Sequence, residues 1–293
     1  MNERISQIEY NGKSALLVEG LGDFSLSRTL DCGQCFRWNA HPHDPHAHTG
    51  IVGGKILTAH SEKSGQLILE GVSEEEYRSV WQRYFSLDLD WQMIRADIEG
   101  RSPELKTAAE RSEGIRILAQ DSFEALVTFI ISQCNNIPRI KGLCEALCER
   151  YGSVIESEHG IAYAFPTPES ILARPLSSLT ELKVGYRDEY IYSACRAVCD
   201  GILDEIRAAE TTREAEALLC SMHGIGKKVA SCVLLFGFRR LDAFPVDVWM
   251  KRALARLFPG VRDYSVFGQY AGVAQQYMFY AERYTEQNSE LLS

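Results

Sequence analysis

Residues 218–254 read LLCSMHGIGKKVASCVLLFGFRRLDAFPVDVWMKRAL, and this stretch organises the chain. Its pattern predicts a helix, a tight turn, a second helix, a loop and the start of a third. The turn His223-Gly224-Ile225-Gly226 carries two glycines, which reach backbone angles that other residues avoid. Lys227 and Lys228 then open an apolar helix. Lys228 and Cys232 stand four apart and so share one helix face, while Val229, Val233 and Phe236 fall on the core side. Further on, Phe244-Pro245-Val246 reads as extended, and Asp247 precedes the next helix as an N-cap. A lysine beside a phosphate-cradling turn, with a carboxylate returned by a later helix, suggests chemistry on a nucleic-acid sugar.

The chain has 293 residues, 45% of them hydrophobic and 24% charged, enough for one large or two ordinary domains. A formal charge of −9 argues against a general polyanion binder, yet what matters for steering is where the charges sit. Between Cys220 and Arg256 the cations Lys227, Lys228, Arg239, Arg240, Lys251, Arg252 and Arg256 face only Asp242 and Asp247, a local excess of five. Nine cysteines follow no regular framework, the N-terminus is polar, and no apolar run has membrane-spanning length. These features favour a reducing cytoplasmic location and no membrane. Cys32 and Cys35 form a C-x-x-C pair without the second pair a zinc site needs, so no metal is expected.

Short β-rich runs at Ser14–Glu19, Cys35–Trp38, Gly50–Val52, Lys55–Thr58 and Gln66–Glu70 predict strands, and Gly53-Gly54 marks a hairpin. The run His41-Pro42-His43-Asp44-Pro45-His46-Ala47-His48 reads as a solvated loop. From Glu74 the pattern turns helical, with Val80, Tyr84 and Leu87 as one stripe. Beyond Ser112 the chain is read as almost wholly helical, with breaks at Asn135–Pro138, Phe165–Pro168, Gly185 and the hairpin. The fold class is therefore α+β: a small antiparallel-sheet domain with helices (1–112), then an all-α domain (113–293) carrying the hairpin at 218–237.

The pattern Met222-His223-Gly224-Ile225-Gly226, with Lys228 and Pro245-Val246-Asp247, resembles the helix-hairpin-helix DNA glycosylase superfamily. No cysteine follows Cys232, so the four-cysteine iron–sulfur cluster of some superfamily members is not expected. The segments Cys32-Gly33-Gln34-Cys35-Phe36-Arg37-Trp38, Gly114–Asp121, Ser132–Arg139, Gly185-Tyr186-Arg187 and Tyr270–Phe279 narrow the resemblance to the 8-oxoguanine DNA glycosylases with AP lyase activity, as a bacterial member. The resemblance implies Lys228 as nucleophile at C1′ of the sugar, since partial burial and a cationic neighbour such as Lys227 favour a free amine. It implies Asp247 as the carboxylate that stabilises positive charge developing on the sugar. The flipped base would be sandwiched by Cys232 and Phe279, read along one edge by Gln275, and distinguished from guanine by the Gly33 carbonyl, which accepts from N7–H.

The same resemblance implies Arg139, Arg187 and Asn135 around the estranged cytosine, with Tyr186 as a wedge in the duplex. Gly224, Gly226 and Val229 would bind the DNA backbone through their amides, beside Trp249. Two positions depart from the family pattern. Cys134 stands where animal members have an asparagine that contacts cytosine, and Trp249 replaces a phosphate-contacting histidine. A monovalent cation at the hairpin is optional. The expected partner is double-stranded DNA containing 8-oxoguanine, bound by a monomer. The rival readings are a helix-hairpin-helix glycosylase for another damaged base, and a hairpin module that binds DNA without catalysis.

Overall fold

The computed structural model describes residues 3–157 and 160–290. It joins an N-terminal antiparallel sheet, with helices, to a helical domain, as the sequence pattern predicts. The sheet has six strands: β1 (Arg4–Tyr10), β2 (Lys13–Glu19), β3 (Trp38–His41), β4 (Asp44–Val52), β5 (Lys55–His60) and β6 (Gln66–Glu70). Their order is β1-β2-β6-β5-β4-β3, with antiparallel neighbours. Gly53 and Gly54 turn β4 into β5 with φ of 56° and 78°, angles that a two-residue hairpin demands and glycine supplies. A small hairpin, β7 (Val154–Ser157) and β8 (Gly160–Tyr163), interrupts the helical half, where the sequence reading expected none.

Three further expectations are corrected. The His41–His48 run is not a loop: His41 ends β3, and β4 begins at Asp44. Pro45 is tolerated because pairing of β4 with β5 starts only at Ala47, so its missing N–H is not needed there. His48 is buried, with its Nε2 3.0 Å from Asp31 Oδ2. The Cys35–Trp38 run is not a strand either, since only Trp38 enters β3. The preceding residues hang on the buried Gln34 side chain, whose Nε2 donates to the carbonyls of Thr29 (2.8 Å) and Arg116 (2.7 Å). Its Oε1 accepts from Leu118 N at 2.9 Å. Finally, Val80 is exposed rather than part of an inward stripe. The Gln82 amide bonds the Tyr77 carbonyl five residues back, and this one wide turn points Tyr77, Trp81 and Tyr84 inward instead.

Two apolar cores result. One lies under the sheet, around Trp38, Trp81, Phe85 and Leu69, and includes Leu118. The other fills the helical half and takes in Cys32 and Phe36 from the N-terminal part, together with Trp91 and Ile94. The buried Arg116 guanidinium ties the chain back to Asp23, at 2.6 Å. The loop carrying Gly33 is thereby pinned against the helical core, and this positions the site.

Candidate active site

The hairpin forms as its sequence predicts. Helix Thr212–Ser221 opens with a capping box between Thr211 and Glu214, and helix Lys227–Gly237 follows the turn. Gly224 sits at φ 80°, and a Cβ there would run into the Tyr190 ring. Gly226 is the N-cap of the second helix and has no side chain to close it, so the amide end of that helix faces outward unblocked. Val229 points its side chain into the core, which leaves only its backbone for any contact. The Gly224 carbonyl accepts from Gln133 Nε2 at 3.2 Å, tying the turn to the segment after helix Ser122–Ile131.

Behind the hairpin lies a cavity of about 420 Å³. It gathers residues from five parts of the chain: Gly33, Asn135, the Lys228–Cys232 pair, Asp247 with Trp249, and Gln275 with Phe279. Lys228 is half-buried, its Nζ 3.4 Å from Ser132 Oγ and 5.4 Å from the centre of the Phe129 ring. Asp247 caps helix Val248–Leu257 by accepting from Met250 N at 2.8 Å, and it lines the cavity as well. Cys232 is buried, which holds its thiol above the ordinary value although Lys228 works the other way. A neutral thiol is the form suited to packing against an aromatic base.

Gln275 is 4% exposed, and its Oε1 has no hydrogen-bond partner among the described residues. Next to it, Gln276 Nε2 donates to the Cys32 carbonyl at 3.2 Å. That bond and φ 85° at Gly33 set the direction of the loop, which only glycine can follow without strain. The Arg283 guanidinium lies 5.8 Å from the Phe279 ring centre and also lines the cavity.

Arg139, Tyr186 and Arg187 do not line this cavity. Arg139 is exposed, its Nη2 3.4 Å from the Lys183 carbonyl. Tyr186 is 51% exposed, packed edge-on against Tyr190. Burial and a hydrogen bond to Cys134 raise its hydroxyl above the ordinary value. Arg187, expected at the estranged cytosine, is buried beneath it. It donates to the Gln133 carbonyl from Nε (3.0 Å) and from Nη2, and to the Val184 carbonyl from Nη1 (2.8 Å). Cys134 lines the cavity with φ 48°, and Asn135 Nδ2 donates to the Ile131 carbonyl at 3.2 Å.

The charge count also changes meaning. Arg239 pairs with Asp88 at 2.7 Å, Arg240 donates to the Ala209 carbonyl at 2.5 Å, and Arg256 pairs with Glu282. Lys227, Lys228, Lys251 and Arg252 carry the basic surface that remains around the hairpin. Among the described residues no group of His, Cys, Asp and Glu is arranged to hold a metal, and no helix is long and apolar enough to cross a membrane. Sequence reasoning assigned no role to Phe129, Ser132, Gln133 or Gln276. Each acts through a partner at least ninety residues away, which no local spacing encodes.

Comparison with known proteins agrees with this geometry. A family model for the 8-oxoguanine DNA glycosylase N-terminal domain matches residues 17–126. One for HhH-GPD superfamily base excision DNA repair proteins matches residues 127–264. An N-glycosylase/DNA lyase of Saccharomyces cerevisiae is 30% identical over 83% of this chain and 71% of its own length. The structure is similar to the apo form of the Clostridium acetobutylicum 8-oxoguanine glycosylase/lyase, with TM-score 0.87 and 34% identity over 96% of this chain and 99% of that one. It is equally similar to that enzyme bound to double-stranded DNA containing cytosine opposite 8-oxoG, with TM-score 0.87 and 32% identity over 99% and 100% of the two chains. With both halves matched and a relative 30% identical over most of its length, the chain belongs to the 8-oxoguanine DNA glycosylase/lyase family of the HhH-GPD superfamily.

Proposed function

We propose that this protein excises 8-oxoguanine from duplex DNA, preferentially opposite cytosine, and then cleaves the abasic strand. The observation that carries the proposal is the single cavity that joins Lys228, Asp247, Cys232, Gln275, Phe279 and the Gly33 loop beside a DNA-binding hairpin. Its volume of about 420 Å³ suits one flipped base with its sugar. Cys232 and Phe279 supply two faces for stacking, Gln275 a polar edge, and the Gly33 carbonyl an acceptor for the N7–H that guanine lacks.

In this reading the Lys228 amine forms a bond to C1′ as the glycosidic bond breaks, and the electron pair leaves with the base, which takes up a proton. Asp247 stabilises the positive charge that develops on the sugar. The sugar ring opens to a Schiff base on Lys228. Loss of a C2′ proton then expels the 3′ phosphate by β-elimination, and water releases the lysine. Arg139, Arg187 and Asn135 face the estranged base, Tyr186 fills the gap, and Gly224, Gly226, Val229 and Trp249 meet the backbone. A monovalent cation at the hairpin is optional, since the Met222 carbonyl already accepts from Ile225 N and the Gly224 carbonyl from Gln133. The protein acts as a monomer in the cytoplasm at the nucleoid. Its nine free cysteines support a reducing compartment.

The test is borohydride trapping on an 8-oxoguanine:cytosine duplex. Wild type yields a covalent adduct, and Lys228→Gln yields none while still binding the duplex. Release of free base without any adduct would remove Lys228 from its role. No release at all would favour another damaged base, and an adduct in Lys228→Gln would place the nucleophile elsewhere.

A further inference from the structure

The geometry points to Ser132 as a positioning residue for the Lys228 amine, an inference that rests on the nucleophile role just proposed. Ser132 closes helix Ser122–Ile131 as its C-cap, and its hydroxyl donates to the Phe129 carbonyl at 2.8 Å. A hydroxyl has one proton to give. With that proton committed, Oγ faces Lys228 Nζ, 3.4 Å away, only as an acceptor. The amine therefore turns one N–H toward Ser132, and its remaining positions face the cavity and the Cys232 thiol.

The second wall of the cradle is Phe129, whose ring centre lies 5.4 Å from Nζ. That ring cannot drift. It stacks on Phe236 of the lysine's own helix (5.4 Å, 17°) and meets Phe36 from the Gly33 loop edge-on (5.6 Å, 73°). Lysine has four flexible carbons and about 2 kcal/mol of rotamer entropy to lose when it is held. A fixed acceptor and a fixed ring face remove part of that loss before substrate arrives, and attack on carbon is steep in such placement. Both groups are rigid because they belong to a helix end and an aromatic stack.

The consequence is specific to the covalent step. Ser132 lines the cavity, and its hydroxyl is bonded to the Phe129 carbonyl and to Lys228, so its loss is expected to leave duplex affinity in place and to slow bond formation. The experiment measures borohydride trapping with enzyme in excess over a duplex that already contains an abasic site, which isolates Schiff-base formation from base recognition. Ser132→Ala is expected to trap about 5–10-fold more slowly than wild type with unchanged affinity for the duplex, and Ser132→Thr, which keeps the acceptor, to recover most of the rate.

Equal or faster trapping by Ser132→Ala overturns the inference, because the hydroxyl would then be idle or would merely stabilise the ammonium form. So does a slow Ser132→Thr, which would mean that packing at the helix end and not the acceptor matters. A variant that fails to fold shows itself as lost duplex binding, and Ser132→Thr then decides alone through its trapping rate. If wild type itself forms no adduct, the nucleophile reading falls and Ser132 has no amine to position. That outcome is distinct from wild-type trapping with an indifferent Ser132.

Discussion

Replacing Gln275 with leucine separates the needs of the fold from those of the reaction. The side chain is 4% exposed, and its Oε1 has no partner among the described residues. Leucine has a similar volume, so the substitution opens no large void, and it breaks no protein hydrogen bond at Oε1. Burying an amide oxygen without a protein partner costs about 1–3 kcal/mol by mutational data. The variant should therefore be as stable as wild type or more so, by at most about 2 kcal/mol. For a chain of this class that corresponds to a rise in Tm of roughly 2–4 °C per kcal/mol. The reaction should suffer in the opposite direction. A base edge that enters the cavity and meets leucine leaves two of its polar groups dry, at about 1–3 kcal/mol each. The sum of about 2–6 kcal/mol is a fall of roughly 30-fold to 10⁴-fold in single-turnover excision. The assay pairs thermal unfolding with excision from an 8-oxoguanine:cytosine duplex under enzyme excess. Two results would refute the reasoning. A loss of more than about 2 kcal/mol would make Gln275 a structural residue. Excision at the wild-type rate would mean that it does not read the base.

Other perturbations test the scaffold around it. Gly224→Ala combines a left-handed backbone, about 1–2 kcal/mol, with overpacking against Tyr190, about 1–3 kcal/mol. Urea unfolding should show the sum, whereas Gly226→Ala, at φ −94° with open space around it, should change stability by less than about 1 kcal/mol. Arg187→Ala strips donors from the Gln133 and Val184 carbonyls and should cost about 2–4 kcal/mol in the same measurement. An unchanged midpoint would show that those bonds are replaced by solvent. Asp23→Ala leaves the buried Arg116 without its carboxylate, a loss of about 3–5 kcal/mol at neutral pH. Burial works to raise the Asp23 carboxyl, but Arg116 and Arg95 outweigh it and hold it below the ordinary 3.8. A depressed carboxylate contributes fully above 3.8 and loses its contribution as pH falls below that value. The gap between wild type and Asp23→Ala should therefore narrow in acid unfolding, and a constant gap would refute the assignment.

What could be read from the sequence was what depends on near neighbours. Gly224 and Gly226 announce a turn, Asp247 a cap, and the intervals Lys228–Cys232 and Gln275–Phe279 a shared helix face, because each is settled within four or five residues. Features that depend on distant partners could not be read. The Gly33 loop looks like a strand until Gln34 is seen bonding Thr29, Arg116 and Leu118. The stripe through Val80 fails because one wide turn at Tyr77 displaces the period. Arg187 shows why a residue's type does not settle its availability. A guanidinium offers five N–H donors, and three bonds to the Gln133 and Val184 carbonyls leave it two. Arg139, exposed at the neighbouring helix start, has among the described residues one weak side-chain bond of 3.4 Å, to a carbonyl, and keeps the rest of its donors. If both arginines face the estranged base, the larger share of cytosine recognition therefore falls to Arg139, with Arg187 fixing the loop from which Tyr186 projects. Arg139→Ala should then relax opposite-base discrimination while leaving the fold intact, and Arg187→Ala should lose stability first. The reverse pattern in excision rates opposite cytosine and adenine would show that the buried arginine is the reader.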